Sequence, residues 1–316
     1  MNKWCRKLAF AVLVAAIAQF AFSQTVDSQS LIFERRALTP PPAAEQDPSG
    51  ALKHVRVEEI TYMSDGLRIR GYLATPEGPG PFPAVIVNRG GNPRLALWTD
   101  QSAWRNLGKI ASWGYVVIAS QYRGSEGSEG HDEFGGADVD DVLNLIPVLK
   151  LVPSADTTRI GMSGTSRGGM MTYLALTRTD KIRAAIVVSG LSDLLESSKS
   201  RPELLKVWES LIPDLKGHFD ETLKKRSAVR WPEKLPANVP LLLIHGTADW
   251  RVSPVQAFDM SRALYAANRP MRFVMYEGGS HGVPEFLAER DTLIRSWLDD
   301  YVRDGKKWPD LKPHGD

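Results

Sequence analysis

Short apolar runs that alternate with helical stretches constrain this fold more than any other feature of the chain. The runs are "PAVIV" (83–87), "YVVIAS" (115–120), "RIGM" (159–162), "AAIVVS" (184–189), "PLLLIH" (240–245) and "MRFVMY" (271–276). Helices are expected between them, near 100–112, 137–150, 167–178, 254–267 and 285–302. Runs that are apolar throughout suit strands buried on both faces, and intervening helices supply the crossovers that parallel strands need. The pattern therefore predicts an α/β fold, a mostly parallel central sheet with helices on both faces. "HVRVEEITY" (54–62) and "LRIRGYLATP" (67–76) alternate instead, as half-buried strands do, around the turn Ser64-Asp65-Gly66. They predict a hairpin on the antiparallel edge. No repeat interrupts the pattern, so 54–303 reads as one domain, followed by a polar tail at 304–316.

The segment before it reads differently. Lys3, Arg6 and Lys7 precede the apolar run "LAFAVLVAAIA" (8–18), and Ala21-Phe22-Ser23 offers small residues for cleavage. Residues 1–23 are expected to be a secretory signal peptide, the run being shorter than the ~20 residues that span a bilayer. Export to the periplasm or the exterior follows, with no stable membrane insertion after cleavage. Without the peptide the chain carries 36 basic and 37 acidic residues, a balance that gives no reason to expect nucleic acid as a partner. Cys5, the one cysteine, leaves with it, which excludes disulfides and thiol catalysis. Residues 24–53, rich in Pro and Ala at "ALTPPPAAEQDPSGA" (37–51), read as a linker.

In such a sheet the chemistry gathers at the carboxyl ends of the strands. "GMSGTSRGGMM" (161–171) follows one strand and places Ser163, Thr165 and Ser166 together. Only Ser166 has glycine two places to either side, the spacing of a sharp strand-to-helix nucleophile elbow. A second match, Gly278-Gly279-Ser280-His281-Gly282, has no acid and base after it, and its glycines are those of the loop carrying His281. Asp249 lies in the loop after a later strand in "LLLIHGTADWRVSP" (241–254), and His281 in the loop after the last in "EGGSHG" (277–282). Serine, acid and histidine in that order suit a nucleophile activated by an imidazole that a carboxylate orients.

These blocks, with "SQYRGSEGSEG", "GGADVDDV" and "RSAVRWPEKL", resemble the catalytic domain of prolyl oligopeptidase-like serine peptidases, which include dipeptidyl and acylaminoacyl peptidases. The resemblance covers about 54–303 and implies the α/β-hydrolase fold, with Ser166 as nucleophile, Asp249 as acid and His281 as base. Two departures stand out. The larger members close the site with a β-propeller, whereas here some thirty residues separate the signal peptide from the hairpin. Many members also place tyrosine before Gly-Gly in the oxyanion loop, and "VNRGGN" (87–92) has Arg89 there. The N–H of Arg167 is the first expected oxyanion donor. The second is the N–H of Gly90 or the guanidinium of Arg89, the backbone being preferred.

The expected activity is that of a serine peptidase cleaving short peptides or aminoacyl amides through an acyl-enzyme, with a carboxylesterase of the same fold as the alternative. A catalytically idle binding protein of the same fold is the other class. No cofactor or metal is expected, since "HDE" (131–133) lacks further ligands and reads as solvated loop. Asp138, Asp140 and Asp141 read as first-turn carboxylates complementing a helix dipole. His245 reads as structural, and Trp98 and Trp250 as either pocket or core. The residues set neither the oligomeric state nor the preference between peptide and ester.

Overall fold

The computed structural model describes residues 31–42, 50–312, 314 and 315, so the expected signal peptide lies outside the described residues. Among the described residues, nine strands form one sheet: β1 (Ile32–Ala37), β2 (Val55–Ser64), β3 (Leu67–Pro76), β4 (Phe82–Asn88), β5 (Val116–Ser120), β6 (Ala155–Thr165), β7 (Ile182–Val188), β8 (Leu241–Gly246) and β9 (Met271–Tyr276). Their order is β1-β2-β3-β5-β4-β6-β7-β8-β9. The first three pairs in this order are antiparallel and the other five are parallel, as the apolar runs predict.

Alternation along the strands divides the interior into two cores. Val116 and Ile118 of β5 enter one, with Met170, Met171 and Tyr173 from α4 (Arg167–Leu176). Val117 and Ala119 enter the other, with Trp104 and Leu107 of α1 (100–112) and Trp297 and Leu298 of α9 (Leu287–Leu298). Side chains with period two on strands buried on both faces must divide in this way. The remaining helices are α2 (Asp138–Leu143), α3 (Leu145–Leu149), α5 (Leu194–Ser200), α6 (Leu204–Leu211), α7 (Phe219–Lys225) and α8 (Pro254–Ala266). Among the described residues, no helix is long and apolar enough to cross a membrane.

Two boundaries differ from the sequence reading. The segment read as linker contains β1, which pairs with β2 and takes the sheet edge from the expected hairpin. Its sequence "IFERRA" lacks the alternation of a half-buried strand, because this strand is held by its ladder and by charge. Arg36 meets Glu59 at 2.6 Å and Asp100 at 3.2 Å, while Arg68 meets Glu34 at 2.7 Å. The tail after 303 is not polar throughout either. Trp308 packs on Trp297 and Tyr301, with ring centroids 5.5 and 5.4 Å away.

Candidate active site

The chain turns sharply from β6 into α4 at Ser166, whose φ of 60° and ψ of −125° lie where few non-glycine residues go. The flanking glycines show why the turn can exist. A Cβ on Gly164 would lie 2.0 Å from the carbonyl oxygen of Gly168, and one on Gly168 would lie 2.0 Å from that of Asn88. Only hydrogen fits at either place. Ser163 remains within β6, opposite Val87. Ser280 sits in a turn, its N–H donating to the Glu285 carboxylate.

The expected acid and base meet. His281 Nδ1 lies 2.8 Å from Asp249 Oδ2 and 3.1 Å from Oδ1, and these are the only hydrogen bonds of the imidazole among the described residues. A proton on Nδ1 leaves Nε2 with a free lone pair. Asp249 Oδ1 also accepts from the N–H groups of Arg251 and Val252, at 2.9 and 3.0 Å. Nε2 of His245, buried near the end of β8, lies 3.0 Å from the Val252 carbonyl and 3.3 Å from Asp249 Oδ2, so its one proton is shared between the two acceptors. A carbonyl only accepts, so that nitrogen carries the proton. Burial pushes the Asp249 carboxyl up, but the hydrogen bonds of His245 and His281 outweigh it and hold the group well below the usual carboxylate range.

Strand ends bring the base loop to the elbow. Ser166 N–H donates to Val188 at the end of β7, and the next residue, Ser189, accepts from Gly282 N–H at 3.0 Å. The Arg290 guanidinium donates to the Gly282 carbonyl from the other side. Gly90 presses on Ser166, since a Cβ there would lie 3.1 Å from Ser166 Cβ. Arg89 turns away. Its guanidinium donates to the carbonyls of Gln121, Gly90 and Asn92 and to Ser125 Oγ, and it stacks over Tyr122 at 4.7 Å. Burial and the charge of Arg167 lower its pKa to about 10. The Arg89 guanidinium is thus committed to carbonyls and to Ser125, while the Gly90 backbone lies against Ser166.

The largest surprise lies behind the elbow. The Arg167 side chain, 1% exposed, meets Asp132 at 2.8 and 2.9 Å and also binds Asp138. The rings of Tyr122 and Phe134 lie 5.0 and 4.5 Å from it. The "HDE" loop is therefore not solvated at Asp132, and Asp138 does more than complement a dipole. Asp141 is likewise buried, on Arg123 at 2.8 Å, whereas Asp140 pairs with Arg178 at the surface. Burial raises the Asp138 carboxyl, and the Arg167 charge together with the Gly135 and Gly136 N–H groups brings it below its ordinary value. The only sequence signal was Arg167 itself: α4 buries that position, and a buried guanidinium needs carboxylates. Trp98 packs in the core and also lines a cavity beside it, and Trp250 is 68% exposed.

The model of the prolyl oligopeptidase family matches residues 102–305. The chain belongs to the prolyl oligopeptidase family. It is 30% identical to a Bacillus subtilis (strain 168) protein named as an uncharacterized peptidase, YtmA, over 73% of this chain and 88% of that one. It is 28% identical to dipeptidyl-peptidase 5 of Porphyromonas gingivalis, over 70% of this chain but 34% of that protein. An acylaminoacyl peptidase of Pyrococcus horikoshii superposes with a TM-score of 0.70 at 25% identity, over 86% of this chain and 45% of the other. The chain thus spans most of the first relative and less than half of the longer ones. The α/β-hydrolase fold and the serine hydrolase class are those of the family.

Proposed function

We propose that this protein is an exported serine peptidase that cleaves short peptides or aminoacyl amides through an acyl-enzyme. The observation carrying this reading is the 2.8 Å contact of His281 with Asp249, on a loop anchored beside the strained elbow of Ser166. Nε2 of His281 takes the Ser166 hydroxyl proton as Oγ bonds to the substrate carbonyl carbon. The oxyanion accepts from the N–H of Arg167, which begins α4 and has no partner within the helix, and from the N–H of Gly90. The C–N bond then breaks as Nε2 returns the proton to the leaving nitrogen. Water repeats the sequence on the acyl-enzyme, releasing the acid and restoring Ser166.

Selectivity is assigned to the segment 191–219, whose helix α6 contributes Val207, Ser210 and Leu211 to a cavity of about 590 Å³ that Asn92–Leu95 also line. That volume is within the range of small-ligand sites.

The test is a panel of aminoacyl and dipeptidyl p-nitroanilides with matched esters, using Ser166→Ala as the control. Anilide turnover that disappears in Ser166→Ala supports the peptidase. Fast ester hydrolysis without anilide cleavage assigns the protein as a carboxylesterase, and no turnover at all assigns the binding role. Export is tested separately, by finding a mature chain that starts at Gln24 outside the inner membrane.

A further inference from the structure

The oxyanion loop separates two cavities. Residues 92–95 face the one described above, while Asn88–Gly90 and Ala96–Trp98 face a second, of about 380 Å³, between α1 and α9. Its floor is the carboxyl ends of β4, β6 and β7, including Thr165 immediately before the nucleophile. Its walls are apolar, with Trp98, Ile110, Trp113 and Ile294.

Charge distinguishes this cavity. Arg89, Arg105, Lys109 and Arg290 line it, the Arg89 guanidinium being bonded to carbonyls and to Ser125, and Asp291 is the one carboxylate among the lining residues. Asp291 meets Lys109 at 2.7 Å and Arg290 at 3.0 Å, so a single negative charge is shared by two cations. Arg105 is exposed and makes no ion pair or hydrogen bond among the described residues. The cavity therefore has an excess of positive charge over an apolar lining.

Its place relative to the reaction follows from Arg290. That guanidinium holds the Gly282 carbonyl, next to the base that must protonate the leaving nitrogen. We propose that this cavity receives the leaving portion of the substrate, an apolar amino acid whose free carboxylate pairs with Arg105 and Lys109. The enzyme is then selective for short peptides that end one residue beyond the cleaved bond. The inference rests on the proposed acyl-transfer reaction but not on amide cleavage.

The test uses esters, which a peptidase and a carboxylesterase both hydrolyse. One acyl group is joined to 4-hydroxybenzoate or to neutral 4-hydroxybenzamide, and each rate is normalised to the same ester's hydroxide-catalysed hydrolysis. The wild-type enzyme should prefer the carboxylate about five- to tenfold in kcat/KM, mainly through KM, with the preference falling as salt rises. Arg105→Gln and Lys109→Met should each bring the ratio towards one. Lys225→Gln, on a distant surface helix, should leave it unchanged. A ratio of one in the wild type, or a preference that survives in the double variant, overturns the proposal. So does a carboxylate preference found only when the charge is moved to the acyl group. Matched amides form a separate arm: if they resist while the ester ratio holds, the peptidase reading fails and the subsite stands.

Discussion

The two halves of the site are held by different forces. Behind Ser166, the Arg167 guanidinium is locked between two buried carboxylates and two aromatic rings. Around His281, the acid is held by backbone N–H groups and a second imidazole, and the loop by the Ser189 hydroxyl and by the Arg290 guanidinium, which donates to a carbonyl rather than to a buried carboxylate. The difference matches what each half does in the proposed cycle. The oxyanion side keeps one charge state, so a rigid buried ion cluster can fix it. In that cycle His281 gains and loses a proton, and the hydrogen bonds around an Asp249 whose carboxyl is held well below the usual carboxylate range suit both states. A site can be rigid on one flank and electrically adaptable on the other.

The strongest test of this contrast removes the reacting groups. Ser166→Ala and His281→Ala should each cost on the order of 10⁴-fold or more in kcat, with Asp249→Ala milder. Labelling by a fluorophosphonate should vanish in Ser166→Ala and persist in Ser163→Ala and Ser280→Ala. Labelling retained in Ser166→Ala moves the nucleophile elsewhere.

Next comes the ion cluster. Asp132→Ala leaves a buried guanidinium short of one partner and should cost about 3–5 kcal/mol of stability. A urea titration measures it, and an unchanged midpoint would show that the cluster does not hold the elbow. Acid offers a second view. The Asp138 and Asp249 carboxyls are depressed in the folded protein, so the stability they contribute is complete above the unfolded carboxylate value of about 3.9. It should be lost as pH falls below that value towards their folded ones. Asp138→Asn should flatten this part of the curve at the expense of stability at pH 7.

The base side should respond more gently. His245→Leu removes one donor near Asp249 and should lower kcat about tenfold with little change in KM, an order of magnitude suited to one hydrogen bond to a charged group. Gln places a nitrogen near the position of Nε2, so His245→Gln should restore most of the loss. Equal losses in both variants would reduce His245 to a packing residue. The smallest effect belongs to Trp250, exposed beside Asp249 and flanked by Arg201 and Arg251 at 5.1 and 5.3 Å. Trp250→Ala should change stability by about 0.5 kcal/mol or less. A large fall in kcat/KM with unchanged stability would place Trp250 on the substrate.

Much of this molecule is legible one residue after another. Apolar runs without alternation announce strands buried on both faces, and the stretches between them become crossover helices. The spacing of Gly164, Ser166 and Gly168 marks a turn that only hydrogen at the flanking positions permits. Asp249 and His281 stand out because each follows a run that is plainly a strand. These signals are local, since they depend on period, spacing and chain order.

What the tertiary structure alone decided is pairwise and distant. Asp132 looks like loop until Arg167, 35 residues on, is folded against it. The edge strand β1 has no apolar rhythm, because its partners are charges on β2, β3 and α1. Whether Arg89 or Gly90 faces Ser166 depends on which carbonyls the guanidinium finds, and those belong to Gln121, Asn92 and Gly90 itself. Periodicity records which face of an element is apolar. It carries no record of which distant polar group will neutralise a buried charge, and that choice is made only when the sheet assembles.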